Sequence, residues 1–216
     1  MSVWPPEPPQ VKLAEVPGFR NGVVPNLHVV GAQVSLPARL QDGAARSVPP
    51  DTLVEASDAR LSRWLEENAS EPQLRVALTA DAESSALYRL LSLAAHRGLH
   101  RAHLFGEVDE PPPAWLGEFR VMQVRLSPGV RYVVLGLARA TDVCAESCPF
   151  ATLDERGLTV DGETWADQSV PPEASPDGKY SPLFIRAPPV GSATLLTRAA
   201  ATASAHDRLL TLVFDD

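Results

Sequence analysis

Leu74-Arg75-Val76-Ala77-Leu78-Thr79-Ala80, then Asp81 to Gly98, then Leu99-His100-Arg101-Ala102-His103-Leu104-Phe105, is the stretch that decides the fold. Its first part is short, apolar and rich in strand formers, which predicts a largely buried strand. From Asp81 the period lengthens: Ala86, Leu87, Leu90, Leu91, Leu93 and Ala94 recur at helical spacing. Gly98 can adopt the left-handed conformation that stops a helix. Leu99 to Phe105 then alternates apolar and polar residues as a strand does. Strand, helix and strand follow so closely that the right-handed crossover rule predicts two parallel strands in one sheet.

The C-terminal end echoes this unit. Leu183 to Ala187 reads as a strand, Ser192 to Ala205 as a small-residue helix, and Leu209 to Phe214 as a closing strand. Each unit ends in an arginine-led apolar strand, Arg101-Ala102-His103-Leu104-Phe105 in one and Arg208-Leu209-Leu210-Thr211-Leu212 in the other. Pro188-Pro189 stands in the second unit where the first has Asp81-Ala82. The expected fold is therefore α+β: two strand–helix–strand halves, mixed sheets, and helices packed on one face.

Before the first unit, Leu27 to Leu36 reads as one strand with a bulge or break at Gly31. Asp51 or Thr52 makes a helix N-cap, Glu55 suits the first turn, and Leu53, Val54, Leu61, Trp64 and Leu65 share a face to about Asn68. Between the units, Phe119 to Leu126 and Val130 to Ala138 are expected to form an antiparallel hairpin across Ser127-Pro128-Gly129. Cys144 to Trp165 suggests two short strands with turns at Asp154-Glu155-Arg156-Gly157 and Asp161-Gly162.

With 216 residues the chain can bury a sizeable core as one large domain or two small ones. Its 21 prolines fall in clusters such as Pro111-Pro112-Pro113, which mark extended connectors and so set the divisions. Residues 1–26 form a proline-rich lead-in, 27–108 a first half, 109–118 a linker and 119–216 a second half. A net charge of −8, with only Lys12 and Lys179 as lysines and scattered arginines, argues against nucleic acid and anionic membrane as partners. No apolar run reaches the ~20 residues that span a bilayer, and Met1-Ser2-Val3-Trp4-Pro5 lacks the pattern of a signal peptide.

Cys144 and Cys148, spaced C-x3-C, read either as two small buried or loop residues or as a local disulfide, which would imply an oxidising compartment. A zinc site would need a second ligand pair at suitable spacing, and none stands out, so no metal or cofactor is expected. His96, His100 and His103 share helical spacing, but Gly98 interrupts it, so these residues are expected to diverge. Asp81, at the mouth of a strand–helix junction, could orient a ligand, or cap the helix by accepting from the amides of Glu83 or Ser84. No G-x-S-x-G, G-x-G-x-x-G or Walker loop is present. Trp64 reads as core, whereas Trp4 and Trp115, beside prolines, read as docking handles.

The strand ending Ala80-Asp81, the helix with Tyr88 near its start, and the stop and strand Arg97-Gly98-Leu99-His100-Arg101-Ala102-His103-Leu104 together resemble the periplasmic domain of ExbD/TolR-type biopolymer-transport proteins. The helix expected over 52–68 stands where that family places one. Leu158-Thr159-Val160-Asp161-Gly162-Glu163 resembles the strand-turn that would open a second, degenerate copy. The resemblance implies a non-enzymatic binding or scaffolding role. Its partners would be another protein, a second copy or the cell wall, with a binding junction around Asp81 and Tyr88. The interface would be an exposed strand edge, expected in the second unit. It implies the periplasm or cell envelope if an export segment precedes this sequence, and otherwise the cytoplasm. The family's N-terminal membrane helix and its intramembrane Asp have no counterpart in this sequence, which would leave the binding half without the motor half. The alternative is a small hydrolase or transferase, with Asp81, Ser84 and a histidine converging at the junction.

Overall fold

The computed structural model describes residues 19–20, 27–37, 53–68, 73–107, 130–143, 150–168, 180–187 and 192–215. In chain order these form β1 (Phe19–Arg20), β2 (Leu27–Val30), β3 (Gln33–Pro37), β4 (Leu53–Glu55), α1 (Asp58–Glu67), β5 (Gln73–Leu78), α2 (Ser84–His96), β6 (Arg101–Glu107) and β7 (Val130–Arg139). They continue with β8 (Thr152–Asp154), β9 (Gly157–Val160), β10 (Glu163–Trp165), β11 (Ser181–Arg186), α3 (Ala193–Ala205) and β12 (Arg208–Phe214). The fold is α+β with mixed strand pairing.

A nine-stranded sheet runs in the order β11-β12-β7-β6-β5-β2-β3-β4, with β1 paired to β7. Both expected strand–helix–strand units are present: β5 pairs in parallel with β6 across α2, and β11 in parallel with β12 across α3. They flank β7 from opposite sides, because β6 pairs with it antiparallel and β12 parallel. In each unit the chain moves from the outer strand, through a helix, to the strand beside β7, and the leading arginines Arg101 and Arg208 face the first residue of the outer strand. One sheet thus passes through both halves without a break. The right-handed rule for such crossovers would seat both helices on the same side.

The register sorts the sheet into two chemically distinct faces. Leu27, Val29, Val34, Leu36, Val76, Leu104, Val133, Leu135, Leu210, Leu212 and Ile185 fall on one face through their cross-strand partners. This face is aliphatic and buried throughout. The other carries His28, Ser35, Ala77, His103, Phe105, Tyr132 and Thr211. On it the His103 ring stacks on Tyr132 at 5.1 Å, and Tyr132 stacks on Phe105 at 5.2 Å. Tyr132-Val133-Val134-Leu135-Gly136-Leu137 does not alternate, because β7 is central and covered on both faces.

A three-stranded antiparallel sheet, β8-β9-β10, hangs from the β11 edge, where Ala151 N–H donates to the Phe184 carbonyl at 2.8 Å. Its turns are the expected ones: Arg156 N–H donates to Asp154 Oδ1 at 2.8 Å, and Asp161-Gly162 has positive φ at both residues, the two-residue hairpin form. Leu158 is buried, and β9 packs on α3. That contact explains the alanines of α3: Ala199, Ala200, Ala201 and Ala203 are all buried, since this helix lies against the main sheet on one flank and β9 on another. Leu158 to Glu163 therefore forms a strand, a turn and the start of a second strand within the small sheet.

Several expectations are corrected. Leu27 to Leu36 is a hairpin, not one strand; Gly31 at φ 53° opens a two-residue loop, and Val30 pairs with Gln33. Leu53 to Glu55 is a strand antiparallel to β3, not the start of a helix. The helix begins at Asp58 after an N-cap, Ser57, that makes no side-chain cap bond. Between Cys144 and Trp165 lie three strands, not two. Phe119 to Leu126, the Ser127-Pro128-Gly129 turn, the 109–118 linker, Trp4, Trp115, Cys144 and Cys148 lie outside the described residues, so β7 is seen paired with β6, β12 and β1.

The stop of α2 is as expected. Gly98 sits at φ 81°, Leu99 N–H donates to the Ala94 carbonyl at 3.0 Å and Gly98 N–H to the Ala95 carbonyl at 3.0 Å. This is the paired bonding of a Schellman stop, with buried Leu99 anchoring it. A Cβ at Gly98 would meet nothing within 4 Å, so substitution there strains only the backbone. Gly98→Ala is expected to cost about 1 kcal/mol, and Gly98→Asn less, in urea unfolding monitored by circular dichroism.

Candidate functional site

Asp81 follows the end of β5, exposed, where the expected ligand-binding junction lies. It does not cap α2. The N-cap is Glu83, without a side-chain cap bond, and the Asp81 carboxylate turns back toward Thr79 and the turn at Gly31 instead. Thr79 Oγ1 stands 2.5 Å from Asp81 Oδ1 and 3.0 Å from the Val29 carbonyl, so its single proton is shared with the charged oxygen as the stronger acceptor. The Thr79 hydroxyl first, then the Asp81 amide, hold this carboxyl below the usual aspartate range; partial desolvation opposes them, and the Gly31 amide adds the smallest contribution in their favour. Glu83 N–H donates to the Gly31 carbonyl at 2.8 Å, and Thr79 N–H to the Val29 carbonyl at 3.0 Å. Asp81 is thus a latch tying the β2–β3 turn to the β5–α2 junction.

Tyr88 is buried, and its hydroxyl has no hydrogen-bond partner among the described residues, so Tyr88 and Asp81 share no bond. Burial raises the Tyr88 pKa, keeping the phenol neutral. Ser85 Oγ donates to Glu83 Oε2 at 3.3 Å. The three histidines diverge as expected. His96 Nδ1 lies 2.8 Å from the Ser92 carbonyl on an exposed helix end, His100 is exposed, and His103 is buried against Tyr132. Among the described residues, no three His, Cys, Asp or Glu side chains form a group able to hold a metal. No helix among them is long and apolar enough to cross a membrane.

The other candidate arises where α1 meets the open end of the sheet. Leu61, Trp64 and Leu65 bury one side of α1. A second side meets α2, where Asp58 pairs with Arg89 at 3.4 Å and Glu66 pairs with Arg97. Both pairs step forward along both helices, so α1 and α2 run parallel, side by side. The remaining flank carries Arg60, Arg63 and Glu67 and borders a groove of about 350 Å³ that also touches Leu36, Ser57 and Trp64. Trp64, read as core, is 9% exposed, and the groove lies against that remaining surface.

Beside this groove runs β4, the terminal strand of the nine-stranded sheet among the described residues. Ala56 N–H donates to the Val34 carbonyl at 2.9 Å, which makes residues 34 and 56 a hydrogen-bonded pair. By alternation Leu36 and Val54 form the next such pair, while Ser35 and Glu55 are a non-bonded one. The backbone N–H and C=O of Leu53 and Glu55 therefore point away from β3, toward the open edge. The opposite edge differs, since Phe150 and Ala151 bridge onto β11 at Phe184. Among the described residues, β4 in the first half of the chain has no strand on its outer side, whereas β11 in the second half is bridged at Phe184.

Compared with known protein families, characterised proteins and solved structures, the chain shows no significant match.

Proposed function

We propose that this protein is a non-enzymatic binding module that takes up an extended segment of a partner protein as an added strand along β4. One observation carries the reading: Leu53 and Glu55 present backbone donors and acceptors outward on the strand that ends the sheet among the described residues, while the far edge is bridged by Phe150–Ala151. Unpaired ladder groups of this kind are the template for strand addition, in which main-chain bonds supply affinity and neighbouring pockets supply selectivity. The groove under α1 is such a neighbouring pocket. A role in protein–protein contact is also what the resemblance to ExbD/TolR-type domains implies.

Glu55→Pro tests this directly. The Glu55 N–H points outward, so proline removes an edge donor while leaving the bonds between β4 and β3 in place. A photo-reactive side chain at position 57, exposed beside the groove just past the end of β4, should cross-link a discrete partner in the native cell extract, and the added Glu55→Pro change should abolish that adduct. An adduct that persists undiminished, or none in the parent protein, refutes strand addition at this edge.

A further inference from the structure

Resting on the edge-strand reading above, we infer that the incoming segment is acidic, with carboxylate side chains that reach the groove and meet Arg60 and Arg63.

The charges of α1 are sorted by flank. Its carboxylates Asp58 and Glu66 pair with Arg89 and Arg97 of α2. The groove flank carries two arginines and one glutamate, and among the described residues neither Arg60 nor Arg63 forms an ion pair. On a chain of net charge −8 this flank is locally cationic.

Spacing fits the same occupant. Arg60 and Arg63 stand three apart on a helix, which places their Cβ atoms about 5–6 Å apart. Side chains on one face of a strand recur every second residue, about 6.6 Å apart. A strand added to β4 sets the residue opposite position 54 on the face shared by Leu36, the face that opens into the groove. Two acidic residues at alternate positions of that strand therefore match the two guanidinium groups, with their methylene stems over Leu36 and Trp64. Guanidinium groups favour such contacts because they present several planar donors to each carboxylate.

Two nine-residue synthetic peptides serve as probes, both with threonine at the odd positions, one with glutamate and the other with lysine at the even positions. Each is labelled and titrated with the protein by fluorescence anisotropy. The net charge opposes the acidic probe and attracts the basic one, so any preference for glutamate must come from local contacts. The glutamate peptide should bind at least tenfold more tightly than the lysine peptide. The Arg60→Glu/Arg63→Glu variant should reverse that order without loss of folding, because Arg63 is exposed and Arg60 only half-buried, outside the buried face formed by Leu61, Trp64 and Leu65. Equal binding of the two peptides, or an unchanged preference in the double variant, overturns the inference. If the peptides bind equally and Glu55→Pro abolishes both, the edge reading stands and only the acidic partner is refuted. If neither binds the parent protein, both readings fail.

Discussion

Gly136→Ala is expected to lower stability by about 3 kcal/mol, toward the upper end of the cost of overpacking a sheet interior. Gly136 lies mid-way along β7 and pairs with Arg101 on one side and Thr211 on the other. A Cβ there would fall 2.3 Å from Thr211 Oγ1 and 3.0 Å from both Thr211 Cβ and Cγ2. Rotating the Thr211 side chain does not relieve the contact with its own Cβ, so two central strands would have to separate. For a chain of this size the loss corresponds to a fall in Tm of roughly 6–12 °C. The partner's identity supplies an internal control. Thr211→Ala alone should be mildly destabilising, since it deletes the bond from Thr211 Oγ1 to the Leu209 carbonyl. In the Gly136→Ala background the same change should raise stability by about 1 kcal/mol or more, because two of the three close contacts disappear. Urea titrations of the four proteins with equal m-values would establish that reversal; additive losses would show that Gly136 matters for some other reason.

The contrast between strong and weak readings of the sequence follows from how local each determinant is. Residues 74–105 were legible because period, stop and strand alternation all lie within the segment, and Gly98 performs a task that its neighbours cannot. The β2–β3 hairpin was missed because Gly31-Ala32 is not one of the common turn pairs, yet a signal was present. Leu27 and Val29 are odd-numbered, whereas Val34 and Leu36 are even-numbered, and all four are buried. A continuous strand would keep one parity on its buried face, so the switch implies a turn between them. Leu53-Val54-Glu55 fits a helical face as well as a strand, and pairing with β3 decided the matter. The latch role of Asp81 could not be read locally, since Gly31 is fifty residues distant. The groove is equally a product of tertiary placement: nothing in Arg60-Leu61-Ser62-Arg63-Trp64 indicates that Leu36 from a separate hairpin lies opposite.

His28 offers the second large effect, and it appears only on acidification. The residue lies on the polar face of the sheet opposite Ser35 and Ala77, and its Nδ1 is buried with no hydrogen-bond partner among the described residues. Burial pushes its pKa down from 6.5 to about 4, since a cationic imidazole there would lose its hydration with nothing in exchange. The unfolded chain binds this proton readily below pH 6.5, while the folded protein resists until about pH 4, so the unfolded state holds more protons throughout that window. Stability therefore rises with pH across it: the contribution is fully present above pH 6.5 and is lost as the pH falls to about 4. The gap between the two values corresponds to about 3 kcal/mol. Carboxylates also destabilise in acid, but most titrate at the lower end of this range, so the decisive quantity is a difference between proteins. His28→Leu removes both the titration and the unpaired nitrogen, and should be near-neutral or stabilising at pH 7. Measured by urea unfolding at successive pH values, the parent protein should lose about 3 kcal/mol relative to His28→Leu between pH 6.5 and 4, with His28→Gln following the leucine variant in slope. Superimposable acid profiles of parent and variants would mean that His28 takes up its proton as freely in the folded sheet as in the open chain.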